Sequence, residues 1–419
     1  MKGWFVTGLL LLSFTLIACS SSQTKEAAAA IDIGLNYVPS APDRENDIPV
    51  QPVSGKTAIE YFNDEKIFAG FNIGNSLDAH AHGEASETSW GNPRINQELM
   101  DGIKAAGFDI VRIPVTWIGH FGSAPDYRLN ERYLRRVAQV VTMANNAGLK
   151  AIINLHHDGA GGVPDAWLSI NTARRSSDGY QKVTFQFVRT WTQIASYFKN
   201  YGDWLMFESC NEIHDGYWGN SSFDILLPQF KILNEWNQFF TEAVRKTGGN
   251  NTARYLIIPG YVTNARHTLG NNFKLPEDSV PGRLIVTFHY YDPQQLGLQG
   301  TQSRWGSDSD KQKVDSDFAP FKAKFVDNNI PVIIGECGAV LQLYPDDPER
   351  EEIAHKSRVA YLAQIYGTAK KYGLVPFYWD NGGTTGSGEK FGIFNRRDGT
   401  PNSPRSDEVI KAMIDAARQ

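Results

Sequence analysis

An excess of positive charge is missing from this chain: Lys and Arg together number 41 against 46 Asp and Glu in 419 residues, and no basic block occurs. Without such a block there is no counterion-release attraction to a polyanion, which excludes nucleic acid as the partner. Long apolar runs are missing too, except within the first twenty residues. From residue 57 onward no run of Ser, Gly or Pro interrupts the chain, so nothing marks a linker between two domains. Cysteine is scarce, with three residues. What is present is a 41% hydrophobic, 12% aromatic composition, sufficient for a large core.

The single long apolar run follows Lys2 and reads "WFVTGLLLLSFTLIAC". It is too short and too close to the start for a membrane span, and has the layout of an export signal. Leu16-Ile17-Ala18-Cys19 resembles the bacterial lipobox, where cleavage before the cysteine leaves it to carry lipid. An ordinary cleaved signal peptide is the competing reading. Ser20 stands where an Asp would resemble an inner-membrane retention signal, which favours the outer membrane. The expected division is residues 1–18 as signal peptide, 19–56 as lipidated Cys19 and a flexible Pro-rich tether, and 57–419 as one folded domain.

Within 57–419 short apolar runs alternate with amphipathic stretches, the pattern of βα units on a parallel sheet. Eight runs occur: "FAGFNIG", "DIVRIPV", "KAIINLH", "WLMFESCNE", "ARYLIIPG", "RLIVTFHYY", "PVIIGEC" and "LVPFYWD". Between them lie helix-like stretches such as "NERYLRRVAQVVTMANNAG", with Gly148 placed as a C-terminal cap. Eight βα units predict a single (β/α)8 barrel with long βα loops around an open cleft.

A barrel gathers polar residues at the C-terminal ends of its strands, because those ends surround one site. Here they are Asn72 and Asn75, Arg112, His156 and His157 with Asp158, Asn211 and Glu212, His289 and Tyr291, Glu336, and Trp379 with Asp380. Glu212 and Glu336, at the ends of strands four and seven, would face each other across the mouth, one donating a proton while the other attacks or activates water. Strand alternation would put Glu208, Cys210 and Glu212 on one face, with Glu212 at the barrel rim. Arg112 could pair with a merely buried Glu336, or hold it ionised as a nucleophile by lowering its pKa. Glu212 needs the opposite environment. Cys337 points away from Cys210, so two free buried thiols are expected.

"GFNIGNSLDA", "ETSWGNP", "GFDIVRIPVTW", "INLHHD", "CNE", "HYYDP", "IIGECG" and "FYWDNG" together resemble, in order, the landmarks of glycoside hydrolase family 5, retaining enzymes with a (β/α)8 barrel. The resemblance implies Glu212 as acid/base, Glu336 as nucleophile, and Asn211 on the sugar 2-hydroxyl. It also implies Arg112 and Tyr291 bracing Glu336, His156 and His289 lining the cleavage subsite, and Trp379 as its aromatic floor. "GNSLDA" with "ETSWGNP" is similar to the endo-β-1,4-glucanase branch that takes cellulose-type, mixed-linkage and xyloglucan chains, which would bring Asn75, Asp78 and Trp90 to glucose units, beside His157. "NEIHD" departs from the Pro that follows this Glu in many members, so the loop holding His214, Tyr217 and Trp218 would shape the aglycone side differently. Trp117, Trp167 and Trp305 stay open between substrate and core.

The resemblance implies a retaining endo-β-1,4-glucanase, with xyloglucan preferred narrowly over plain or mixed-linkage glucan, without metal or organic cofactor; nothing in the sequence suggests more than a monomer. Two rivals remain. His80 and His82, with His289 and Asp380, could serve a metal-dependent amidohydrolase, although strand four supplies Asn-Glu where that chemistry wants a bridging Lys. A surface glycan-binding lipoprotein would use the aromatics without catalysis, but would have no use for two costly desolvated carboxylates.

Overall fold

A computed structural model describes residues 33–37 and 48–419. Cys19 and the lipobox lie outside the described residues. Eight parallel strands close into a barrel: β1 Gly70–Ile73, β2 Ile110–Ile113, β3 Lys150–Ile153, β4 Leu205–Glu208, β5 Leu256–Asn264, β6 Leu284–Tyr290, β7 Val332–Cys337 and β8 Leu374–Asp380. Each strand pairs with its neighbours in sequence, and β1 closes the ring on β8. Seven of the eight apolar runs contain a whole strand, and β5 starts in "ARYLIIPG" and runs on to Asn264. Sequence reading missed only a small antiparallel hairpin, His80–Ala81 with Glu84–Ala85, whose two-residue strands leave no periodic signal. Among the described residues no helix is long and apolar enough to cross a membrane.

Alternation along the strands explains where the chemistry can sit. Ile110, Ile152, Met206, Ile257, Ile285, Ile333, Val375 and Phe377 point inward and form one apolar layer, while their neighbours Val111, Ile153, Phe207, Phe288 and Ile334 face the helices. Tyr61 and Phe62 close this layer from below. They sit on the helix Ala58–Asp64, which starts at Thr57 through a capping box with Glu60. Gly70 is required because any side chain there would strike the Phe377 ring. Two residues further along β1 to β4 the inward positions turn polar: Asn72, Arg112, Asn154 and Glu208. The apolar layer makes a dry base, and the polar layer above it becomes the floor of the site.

The outer helices follow their sequence signals. Glu131–Asn146 begins where the Asn130 side chain accepts the Tyr133 amide and ends against Gly148 at φ 79°. Residues 48–56, which the sequence reading gave to the tether, dock on the barrel. Gln51 donates its amide to the Asn200 carbonyl at 2.9 Å and accepts the Trp204 indole at 2.8 Å. Ser54 N–H reaches Asp203 at 2.6 Å, and Ile48 and Leu35 pack on the core. The polar groups of Asn200, Asp203 and Asn250 lie below the barrel and need partners, which an extended Pro-rich segment can supply from its backbone.

Candidate active site

Arg112 organises the polar layer. Its fully buried guanidinium donates Nε to Glu208 at 2.7 Å, Nη1 to Glu336 at 2.9 Å and to Asn72 at 3.1 Å, and Nη2 to Asn211 at 2.8 Å. One cation therefore ties strands β1, β2, β4 and β7 together through five-donor geometry that no lysine reproduces. Asn154 donates to the same Glu208 oxygen at 2.8 Å. Glu208 and Asn154 are site residues that sequence reading overlooked. The signal was present, since both stand two positions beyond an inward-pointing apolar residue, where Arg112 also stands.

β4 corrects the face assignment. Its ladder ends at Glu208, which faces inward, whereas Cys210 packs in the layer between barrel and helices. Beyond Glu208 the backbone is held differently: Trp191 donates its indole to the Ser209 carbonyl at 2.9 Å and Asn211 N–H bonds Leu155 O at 2.8 Å. Once the pleat is broken, period-two counting no longer applies, and Asn211 returns to the interior. Cys210 and Cys337 are both buried and unbridged, as expected, but both lie on the helix-facing side.

The two carboxylates meet. Glu336 accepts Arg112 on Oε1 and the Tyr291 hydroxyl on Oε2 at 3.0 Å. Glu212 Oε1 lies 2.6 Å from His289 Nδ1 and 3.4 Å from the Thr263 hydroxyl. Glu212, His289 and Glu336 offer polar atoms all within 4.8 Å of one another. Burial pushes the Glu212 carboxyl up to about 7, only partly opposed by Arg112 and Thr263. Burial also raises Glu336, against the expectation that Arg112 would leave it low; His289 and Arg112 counteract that rise without cancelling it. His289 is driven down to about 4 by burial, so its ring is neutral beside Glu212. Burial therefore favours the protonated form of Glu212, which has no cation in contact, while Glu336 keeps Arg112 and Tyr291 as donors.

The surrounding rings form a platform. His156 stacks on Trp379 with centroids 5.8 Å apart and planes 5° apart, and Gly74 is needed because a Cβ there would stand 2.6 Å from the Trp379 ring. Asn92 donates to the carbonyls of Asn75 and Asn381, tying the loops after β1 and β8 together. Trp90 is 40% exposed, anchors its indole on His80 O, and packs with His80 and His157 at centroid distances of 5.2 and 5.4 Å. Asp78 is a correction: its side chain is wholly buried and accepts the amides of Asn75 and Ser76, so it shapes the loop rather than meeting a sugar. Trp117 is core, Trp167 donates to buried Asp158, and Trp305 packs edge-on against Tyr361. Trp218 lies on the loop after Glu212, 54% exposed.

Among the described residues two groups could ligate a metal, Asp78 with His156 and His157, and Glu212 with His289 and Glu336. Neither includes His80, His82 or Asp380. Asp380 is committed to Arg396 at 2.7 Å and to the amides of Gly382 and Ile393 at 2.7 and 2.8 Å. The amidohydrolase arrangement therefore lacks its strand-eight ligand.

A carboxylate pair at the mouth of a closed parallel barrel, Glu336 on β7 and Glu212 just beyond β4, is joined by a direct match: residues 75–385 fit the family model "Cellulase (glycosyl hydrolase family 5)". The chain belongs to glycosyl hydrolase family 5. It is 39% identical over 369 residues to endoglucanase A of Paenibacillus barcinonensis, spanning 83% of this chain and 87% of that protein. It is 34% identical over 366 residues to a xyloglucan-specific endo-beta-1,4-glucanase of Bacteroides ovatus, spanning 82% and 68%. Among solved structures, a broad-specificity endoglucanase from Bacteroides salanitronis matches at TM-score 0.80 and 43% identity, covering 88% of this chain and 97% of that one. The chain is thus a glycoside hydrolase of the endoglucanase group, acting on β-glucan chains, and the barrel is the family's (β/α)8 fold.

Proposed function

We propose that the protein is a retaining endo-β-1,4-glucanase that cleaves plant cell-wall glucans, xyloglucan first among them, by double displacement. The proximity of Glu212 and Glu336 carries this reading: polar atoms within 4.8 Å suit a retaining pair, whose carboxyl groups stand about 5 to 5.5 Å apart, rather than the roughly 6.5 to 9.5 Å that leaves room for water. Glu336, steadied by Arg112 and Tyr291, attacks the anomeric carbon as Glu212 hands its proton to the leaving oxygen. Glu212, then ionised, takes a proton from the water that releases the sugar from Glu336. Arg112 occupies the Asn211 oxygen, which leaves the Asn211 amide nitrogen to donate to the sugar 2-hydroxyl, a contact worth most in the transition state. Trp379 and Trp90 offer flat apolar faces to glucose rings.

The xyloglucan-specific relative supports the first choice of substrate, while the broad-specificity neighbour at 43% identity favours a second reading in which mixed-linkage glucan is cut equally well. Parallel digestion of xyloglucan, barley β-glucan, carboxymethylcellulose and mannan, with the anomer of the first product followed by NMR, tests both. A first-formed α-anomer would overturn retention, and mannan as best substrate would overturn the glucanase reading. We place the protein on the outer membrane through lipid at Cys19, as a monomer; loss of metabolic palmitate labelling in Cys19→Ser, and an equilibrium sedimentation mass, test these two points.

A further inference from the structure

In the glucanase reading Glu212 protonates the leaving group, and the loop that follows Glu212 in the chain carries His214 and Trp218. That loop is built with unusual care for a surface segment. Asp215 accepts the Tyr217 amide at 3.0 Å, the Ser221 hydroxyl at 2.7 Å and the Gln229 amide at 2.9 Å, and its carbonyl accepts Asn171 at 3.0 Å. His214 stands between two loops. Gly161 N–H, from the loop after β3, points at His214 Nε2 at 3.1 Å, and Gly216 N–H points at Nδ1 at 3.1 Å. A neutral imidazole offers one in-plane lone pair, so only one of these contacts is a hydrogen bond in either tautomer, and a cationic ring could accept neither. Burial holds His214 down to about 4, which keeps the accepting form. Gly161 has to be glycine, because a Cβ there would run into the Gly216 amide.

The face of this fixed ring carries Trp218. The two rings stack with centroids 4.0 Å apart and planes 23° apart. Trp218 adopts φ 51° next to Gly219 at φ 76°, a left-handed conformation that a bulky residue enters only when its surroundings compel it. One indole face rests on His214, and more than half of the residue remains open to solvent.

We infer that His214 is a positioning residue for the leaving-group side of the cleft, joining the β3 and β4 loops and presenting Trp218 as the platform for the departing glucan. The inference rests on the glucanase reading above. It explains why the Ile-His-Asp sequence after Glu212 departs from a Pro: His214 and Asp215 each have a structural task there.

The test compares a polymer with an aryl glycoside whose leaving group is nitrophenol and reaches no further along the cleft. For wild type, Trp218→Ala, His214→Ala and the double variant, kcat/KM is measured on barley β-glucan and on nitrophenyl β-cellotrioside, and the polymer-to-aryl ratio is taken. Each single variant should lower that ratio about tenfold, the scale of one lost aromatic contact. The double variant should fall no further, since both changes remove one platform. Transfer of glycosyl units to added cellobiose should drop in the same variants. His214→Gln, which keeps an acceptor for one loop amide and is the milder change, should recover part of the ratio. Equal losses on both substrates in His214→Ala would assign His214 to support of Glu212 and overturn the inference, as would losses that multiply in the double variant. Hydrolysis of both substrates by the wild type upholds the glucanase reading separately.

Discussion

Glu336 and Glu212 sit in one pocket yet are held in opposite ways. Glu336 lies under a full set of donors: Arg112 on one oxygen, Tyr291 on the other, with His289 3.5 Å away. Glu212 has a neutral imidazole and a distant Thr263 hydroxyl, and no cation in contact. The difference separates a carboxylate held in place by donors on both oxygens from a carboxyl group that can give its proton away and take another. Burial alone would raise both groups, and it does. What distinguishes them is how much positive charge the barrel floor directs at each, and that floor is the polar layer stepped up from the apolar one.

The comparison breaks most visibly at Glu336. Glu336→Ala should lose about 10⁴-fold or more in kcat on every substrate, because no other group can form the glycosyl-enzyme bond. Azide added to that variant should restore turnover and give an α-glycosyl azide, detectable by NMR. Residual activity near one-tenth of wild type would sink the nucleophile assignment. Glu212→Ala should lose about 10² to 10⁴-fold on glucan chains, the usual contribution of a proton donor. On a dinitrophenyl cellobioside, whose leaving group needs no proton, its first step should proceed at close to the wild-type rate. If both variants responded to leaving-group acidity alike, the two carboxylates would not have the separate roles their surroundings suggest.

Arg112 tests the charged side of the contrast. Arg112→Met leaves Glu208 and Glu336 buried without their cation, and breaking such a pair costs about 3 to 5 kcal/mol. Urea unfolding should register that loss, and pairing the change with Glu208→Gln should recover part of it. A stability loss confined to a few tenths of a kcal/mol would mean the network is far less desolvated than its geometry indicates.

How much of this could be read in the sequence depended on whether a residue obeyed strand periodicity. The eight apolar runs did, and with them the barrel and the strand-end residues Arg112, His289 and Glu336. Glu208 and Asn154 obeyed it too and could have been found, being two positions beyond Met206 and Ile152 on the inward face. Cys210 could not be placed, because the pleat stops at Glu208 and side-chain direction then follows loop hydrogen bonds. Asp78 reads as a sugar contact only until its backbone partners are seen, since an Asp shaping a loop and an Asp facing a ligand look alike in sequence. Docking of residues 48–56 was hidden for a related reason. Their partners Asn200, Asp203 and Asn250 are about 150 to 200 positions away and carry no period at all.

The smallest effect concerns what the raised Glu212 pKa does to stability. Its carboxyl titrates near 7 when folded and near 4.5 otherwise, so the folded state retains a proton that the unfolded chain releases between those values. Stability from this group is therefore complete below about pH 4.5 and is lost as pH rises through about 7. Glu212→Gln, always neutral, should match the wild type near pH 4.5 and exceed it above pH 7 by about 3 kcal/mol, the order that a shift of this size implies for a mostly buried group. Wild-type kcat/KM should fall over the same alkaline interval, because the proton that stabilises the fold is the one the leaving oxygen needs. His289 titrates in the opposite sense: held near 4, it costs stability as pH falls below its ordinary range and so bounds the acid side. Urea midpoints for the two proteins from pH 4.5 to 8 decide the matter. Parallel curves would mean that Glu212 titrates as an ordinary surface carboxylate, and the contrast with Glu336 would lose its electrostatic basis.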